Sequence, residues 1–210
     1  MLLAIVDGRL VSLAEDLLLG VFANGLLMGS RTCANGSKQR EGVDFKLSHS
    51  PAGIINSIRL IVALAASLGM QLFVLDAANA FQNSYIFDPT ERVYLTLPTF
   101  YVEWFVSKWP DFVLPSHNQK DLVVQCLKSL QNTKDAGLRW YRLISGKFCS
   151  MGMISNTYNQ GVFAWDWQTE RCFLVIKTDD IFLAAKTWAP FFAIQKDLSK
   201  LFAAKFRRVG

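Results

Sequence analysis

Two strongly apolar runs, Cys172-Phe173-Leu174-Val175-Ile176 and Ile181-Phe182-Leu183-Ala184-Ala185, are separated only by Lys177-Thr178-Asp179-Asp180. Each run has the length and composition of a short, largely buried strand. Together they read as a hairpin that carries a carboxylate pair at its tip. The connection lacks the Asn-Gly, Asp-Gly or Gly-X pair that two-residue hairpins favour. Two ionised carboxylates side by side repel, and beside a buried sheet they are costly unless a cation neutralises them. Magnesium is the hard, oxygen-seeking candidate. Aspartate is also a common turn residue, because its side chain bonds the local backbone, so the pair has a purely structural explanation as well.

A second acidic position lies far upstream. Gln71-Leu72-Phe73-Val74-Leu75 is an apolar run of strand length that ends on Asp76, followed by Ala77, Ala78, Asn79, Ala80 and Phe81. Before it, Ile54, Ile58, Ile61, Ala65 and Leu68 recur at three- and four-residue spacing, and Gly69 supplies a C-terminal stop. Helix, glycine and strand then present Asp76 at a strand end, from which it can meet the hairpin pair in space.

The 210 residues, 51% of them hydrophobic, suffice for one sizeable domain or two small ones. A net charge of +5 suits a polyanionic partner but is also ordinary for a soluble domain. Cys33, Cys126, Cys149 and Cys172 show no Cys-x-x-Cys spacing and neither His49 nor His117 stands beside them, so no zinc site is legible and reduced thiols are expected. Met1–Val6 and Leu17–Met28 are apolar but interrupted by Asp7, Arg9, Glu15 and Asp16. No run reaches the roughly 18 to 20 apolar residues of a membrane span, and no membrane association is expected. A signal peptide would need a basic n-region, which is absent, and the segment reads as a short helix or strand-helix.

Ser30 to Pro51 is polar and reads as a loop or hairpin tip. Glu91–Pro98 and Asp121–Leu130 read as strands, Ala136–Met151 as a helix, and Val162–Asp166 with Arg171–Lys177 as paired strands. Helical spacing runs from Trp188 to Phe206 through Phe191, Ile194, Leu198, Leu201 and Phe202. The stretch Thr99–Gln119 carries no clear period.

Mixed helices and strands, with one aspartate at a strand end and a pair at a hairpin tip, describe the catalytic centre of a template-directed nucleic-acid polymerase palm. That chemistry uses two divalent ions about 4 Å apart, one at the primer 3′-hydroxyl and one at the triphosphate, bridged by carboxylates from separate strands. Basic residues must also neutralise the incoming phosphates.

The motifs carry a resemblance in order along the chain. They begin with Ser30-Arg31-Thr32-Cys33-Ala34-Asn35-Gly36, Glu41-Gly42-Val43-Asp44-Phe45 and Ser50-Pro51. Ile58-Arg59-Leu60 and Ala65-Ala66 follow, then Leu75-Asp76 with Asn79-Ala80-Phe81, and Glu91, Val93-Tyr94 and Pro98. Cys126-Leu127-Lys128-Ser129-Leu130, Lys134, Trp140-Tyr141 and Asp179-Asp180 complete the series. From about Ser30 to Phe206 the chain resembles the reverse transcriptase domain of copia-type LTR retrotransposons, leaving residues 1–29 as an extension of unassigned role.

The resemblance implies an α+β fold, with a palm-like antiparallel sheet packed on helices and partial fingers. It implies RNA-directed DNA polymerisation on an RNA or DNA template with primer and deoxynucleoside triphosphates, using two Mg2+ ions or Mn2+. Asp76, Asp179 and Asp180 match the catalytic metal ligands, Phe81 the steric gate against a 2′-hydroxyl, and Arg31 and Lys134 the triphosphate contacts. An intracellular setting, a cytoplasmic particle or the nucleus, follows from the same resemblance.

Several positions depart from the family's pattern. Lys177-Thr178 stand where the family carries Tyr-Val, Gln131-Asn132-Thr133-Lys134-Asp135 where it carries Tyr-Gly-Leu-Lys-Gln, and Gln82-Asn83-Ser84 where it carries Leu-Asn-Gly. An arginine expected near Asn35 is absent, and the sequence given ends at Gly210, before the thumb. The expectation is therefore a fragment with weak or no polymerase activity. The alternative is an inactive retrotransposon-derived remnant or a nucleic-acid-binding module.

Overall fold

The computed structural model describes residues 3–6, 9–12, 34–84, 93–96, 99, 102–103, 107, 110, 123–202 and 204–209. Its first elements are β1 (Leu3–Val6), β2 (Arg9–Ser12), α1 (Ile55–Leu68), β3 (Gln71–Ala77), α2 (Ala80–Asn83), β4 (Val93–Thr96) and β5 (Val123–Cys126). They are followed by α3 (Ala136–Ser150), β6 (Ile154–Ser155), β7 (Val162–Trp167), β8 (Glu170–Lys177), β9 (Asp180–Ala185), α4 (Ala189–Leu198) and β10 (Ala204–Val209). Helices with antiparallel sheets make this an α+β fold, as expected. The chain divides into two compact units, residues 1–46 with 85–134 and residues 47–84 with 135–210.

The first unit holds an antiparallel sheet in the order β2-β1-β5-β4. The apolar opening run is thus one arm of a β-hairpin, while Leu17–Met28 lies outside the described residues. The described part of the polar segment, residues 34–51, is a loop, as its composition indicates, with a 3-10 turn at Gly36–Lys38. Asn35 caps that turn through its Oδ1, which accepts from the backbone N–H and the hydroxyl of Ser37 at 3.3 and 2.6 Å. Asn132 adopts a φ of +73°, the left-handed backbone that glycine takes most easily and asparagine next. Asparagine is thus compatible with the backbone at this position, and Asn132 also donates from Nδ2 to the Ala34 carbonyl at 3.0 Å.

The second unit holds a six-stranded antiparallel sheet in the order β10-β3-β9-β8-β7-β6. Phe73, Leu75, Cys172, Leu174, Ile176, Ile181, Leu183 and Ala185 point to one face, where Trp140, Ile144 and Phe148 of α3 and Phe191, Ile194 and Leu198 of α4 pack on them. Each fully buried Leu, Ile or Phe in such a layer contributes about 1.5–3 kcal/mol. The alternate residues Leu72, Phe173, Val175, Phe182 and Ala184 meet Ile58, Ile61 and Ala65 of α1 on the other face. Coverage of both faces explains why the strands read as continuous apolar runs rather than alternating ones. Helix α1 ends where the sequence placed its stop, with Gly69 at φ +63°.

The helix read from Trp188 to Phe206 is shorter than its spacing suggested. It stops at Leu198, and Ala204–Val209 instead pairs antiparallel with β3, Ala204 opposite Ala77 and Val209 opposite Leu72. Phe202 is buried in the same core from the turn after the helix, which prolonged the apparent period. Strand β10 satisfies the backbone groups along that side of β3, which would otherwise be an open edge. No helix among the described residues is long and apolar enough to cross a membrane.

Candidate functional site

Strand β3 delivers Asp76 one residue before its end, and β9 begins with Asp180. In the ladder between them Asp76 stands directly opposite Asp180, so both side chains project from the same sheet face, the one that α1 covers farther along. The two-residue connection is Thr178-Asp179, with Asp179 exposed in the turn and Asp180 half-buried in the strand. The carboxylate pair at the tip is thus split between turn and strand. Thr178 has a φ of +57°, which supplies the left-handed residue that an Asn-Gly turn would otherwise provide.

The turn is held from beneath and from the side. Trp140 of α3, 1% exposed, donates its Nε1–H to the carbonyl oxygen of Thr178 at 2.7 Å. The Ala77 N–H donates to the Asp179 carbonyl oxygen at 3.2 Å, continuing the ladder past Asp76. Trp140 is fixed in turn by an edge-on contact with Phe202, centroids 5.2 Å apart. At the base of β8, Gly53 N–H donates to Ile176 O at 2.7 Å and Ile176 N–H to Gly161 O at 2.8 Å, a backbone clamp that leaves no room for a side chain on Gly161.

Two like charges directly opposite in a ladder are unfavourable unless compensated. Lys177, the last residue of β8, stands opposite Asp180 on its other side, so Asp76, Asp180 and Lys177 form one row across three strands. In β10, Lys205 holds the register position opposite Asp76. Asp76 and Asp180 offer hard oxygen donors on one face, a chemistry that suits Mg2+ or Mn2+. Among the described residues, however, no group of three or more His, Cys, Asp or Glu side chains lies close enough to hold a metal ion, and Asp179 is not drawn into one cluster with the other two.

The other anticipated residues fall as follows. After Asp76 the chain turns through Asn79, at φ +53°, into the short helix α2, where Phe81 is half-buried against the apolar core. Asn83 donates from Nδ2 to Ala78 O at 2.9 Å and buried Ser84 from Oγ to Phe81 O at 2.7 Å, so the divergent Gln82-Asn83-Ser84 segment fastens this turn. Lys134 belongs to the first unit, exposed, with its backbone N–H bonded to Gln39 Oε1 at 2.7 Å. Arg31 lies outside the described residues. Sequence reasoning missed Trp140 as the anchor of the acidic turn; an indole donor in a helix read as amphipathic carried no local sign of its distant acceptor.

Asp135 and Arg139, four residues apart at the start of α3, form a buried ion pair with Arg139 Nε at 2.6 Å from Asp135 Oδ2. Burial pushes the Cys126 and Cys172 thiols up to about 12, and both are unbonded, as is the exposed Cys149.

Residues 26–208 match the family described as Reverse transcriptase (RNA-dependent DNA polymerase). The chain is 28% identical over 178 residues to the retrovirus-related Pol polyprotein from transposon TNT 1-94 of Nicotiana tabacum, covering 84% of this chain and 12% of that protein. It is 24% identical over 154 residues to the retrovirus-related Pol polyprotein from transposon RE2 of Arabidopsis thaliana, covering 73% of this chain and 10% of that protein. The corresponding protein from transposon RE1 of Arabidopsis thaliana is 23% identical over 176 residues, covering 84% of this chain and 11% of its own length. The chain therefore spans only a small part, 12% or less, of these curated relatives. No solved structure matches it. The resemblance to copia-type reverse transcriptase domains is borne out by these matches.

Proposed function

The chain belongs to the reverse transcriptase (RNA-dependent DNA polymerase) family, and from that premise we propose that residues 47–84 with 135–210 are its palm, bearing the nucleotidyl-transfer centre of a retrotransposon polyprotein. The observation that carries this reading is the register of Asp76 opposite Asp180 beside a turn that contains Asp179. In this reading the three aspartates are the metal ligands. Bound Mg2+ or Mn2+ would lower the pKa of a primer 3′-hydroxyl and neutralise the triphosphate. The protein's own part is to hold the carboxylates on a rigid sheet end, with Trp140 and Ala77 fixing the turn.

Phe81, on the turn five residues after Asp76, serves as the sugar-edge gate, and Arg31 and Lys134 contact the triphosphate. Residues 30–206 form the polymerase domain, with 30–46 and 85–134 as partial fingers, and the partners are a primed RNA or DNA template and deoxynucleoside triphosphates. With Lys177-Thr178 in place of the family's Tyr-Val beside the aspartates, the chain polymerises weakly or not at all. A second reading, a palm-derived nucleic-acid-binding module without catalysis, is favoured by Lys177 standing opposite Asp180 in place of the family's aromatic residue.

Primer extension on a homopolymer RNA template with Mg2+ or Mn2+ separates the two. Extension lost in the Asp179→Asn, Asp180→Asn double variant supports the polymerase reading. Absence of extension by the folded parent chain, with primer-template still retained in a gel-shift assay, supports the binding module.

A further inference from the structure

We propose that the outer face of α4 is a stacking platform for single-stranded nucleic acid, on the side of the sheet away from the acidic pair. Trp188 immediately precedes the helix and Phe192 lies one turn on, its N–H donating to the Trp188 carbonyl oxygen at 3.0 Å. Their rings stack, centroids 5.8 Å apart and 24° from parallel, and both are open to solvent, Trp188 38% exposed and Phe192 55%. Lys196, exposed, falls a further turn along the same stripe, and Lys186, also exposed, lies two residues before Trp188. Neither lysine takes part in an ion pair among the described residues, whereas Lys147 and Lys200 are both held by Asp197. Glu170, the carboxylate that approaches from β8, is occupied by the Lys186 and Thr187 N–H groups and the Thr187 hydroxyl.

Trp188 is wedged edge-on against Phe73 and Phe191, both buried in the core, with centroids 4.8 and 5.6 Å away. The ledge is therefore set before any ligand arrives, and rigid aromatic area costs little ordering entropy on binding. Every nucleobase has a π face, and bases stacked on aromatic rings beside lysines are how proteins hold single strands without reading their sequence. From Trp188 to Lys196 the stripe runs about 12 Å, the length of roughly three stacked nucleotides. An apolar partner helix laid on the same stripe would bury Lys196 without a counter-charge, whereas a polyanion supplies one. Phe73, on which Trp188 rests, points to the opposite sheet face from Asp76 and Asp180. The inference therefore goes beyond the polymerase reading and does not depend on the three aspartates.

The test is fluorescence anisotropy of a short labelled oligouridylate titrated with the full chain, for the parent, Phe192→Ala, Phe192→Leu, Phe192→Tyr and Lys196→Gln, each shown to be folded by circular dichroism. Phe192→Ala should weaken binding about fivefold or more, the loss of one stacked base. Phe192→Leu keeps the apolar bulk without the π face and should lose as much, while Phe192→Tyr should bind like the parent. Lys196→Gln should flatten the slope of log affinity against log salt by about 0.7, one phosphate contact. A duplex, whose bases are already stacked on each other, should compete poorly. Full binding by Phe192→Leu would make the contact merely apolar and overturn the platform. Parent-like binding by Phe192→Ala and Lys196→Gln means that the strand is held elsewhere, and it overturns this inference while leaving the polymerase reading standing. No binding by the parent overturns it too, as does a dimer that Phe192→Ala converts to monomer with strand binding unchanged, since the face would then join copies of the chain. Failure of primer extension with the Phe192 effect intact counts against the polymerase reading alone.

Discussion

The Nε1–H of Trp140 in α3 donates to the carbonyl oxygen of Thr178 at 2.7 Å, tying a fully buried tryptophan of the core to the turn that carries the acidic pair. The turn residue contributes only its backbone, so the bond is indifferent to what side chain stands at position 178. Trp140→Phe keeps a ring in the site but removes the donor. It should lower stability by about 2 kcal/mol, combining the lost hydrogen bond with the smaller ring. A shift of the urea midpoint at constant slope would show this, and an unchanged midpoint would deny the anchoring role.

A β-branched residue at φ +57° is strained, because its Cβ crowds the backbone in the left-handed region. Thr178→Asn, with a residue that tolerates this conformation, should stabilise the chain by about 0.5–1 kcal/mol, whereas Thr178→Val should give no gain. Thermal melts of the two variants side by side distinguish conformational strain from any contribution of the hydroxyl.

Gly161 lies where a Cβ would meet the backbone of Ala52 and Gly53, and its carbonyl accepts from Ile176 in the strand that leads to the acidic turn. Backbone cannot move aside as a flexible side chain can. Gly161→Ala should destabilise by about 2–3 kcal/mol or more through overpacking. Gly146→Ala, at a helical site with nothing within 4 Å, should be neutral or stabilising and serves as the control.

The buried pair of Asp135 and Arg139 predicts an asymmetric outcome. Arg139→Met leaves a carboxylate in the interior without its guanidinium and should cost about 3–5 kcal/mol. Combining it with Asp135→Asn should recover a substantial part of that loss, measurable as a coupling energy in a double-mutant cycle of denaturation midpoints.

Cys126 and Cys172 have thiols raised by burial from 9.0 to about 12, with Glu170 and Asp166 adding to the effect at Cys172. Because the folded values lie above the unfolded one, this contribution is fully present below pH 9 and is lost as pH rises from there toward 12, where the unfolded chain sheds protons that the folded chain retains. Stability should therefore fall across that alkaline window, less steeply in Cys172→Ala. At pH 8, alkylation of the folded chain should label Cys149, which is exposed, and spare the two buried thiols until the chain unfolds.

Local pattern alone located most of the second unit. The helical spacing of Ile58, Ile61 and Ala65 ending at Gly69, the strand run into Asp76, and the paired runs around the aspartates all stand where periodicity placed them, because burial of one helix stripe or one strand is written in residues adjacent along the chain. The same was not true after Leu198, where Phe202 continued a helical period from within a turn and β10 was hidden in a segment that had looked helical. Local pattern also showed Lys177 and Asn132 only as departures from a motif. Their surroundings show that one is the cross-strand neighbour of Asp180 and the other keeps a glycine-like backbone.

What the sequence by itself determined is most of the strands and helices of the second unit, with Asp76 near a strand end and Asp179 and Asp180 at the tip of a hairpin. Tertiary structure alone decided that Asp76 faces Asp180 rather than Asp179, that Lys177 closes the row, and that Trp140 holds the turn. Periodicity records which side of an element is buried, whereas register depends on pairing between segments far apart in the chain, and a slip of one residue would have turned every one of those side chains to the opposite face.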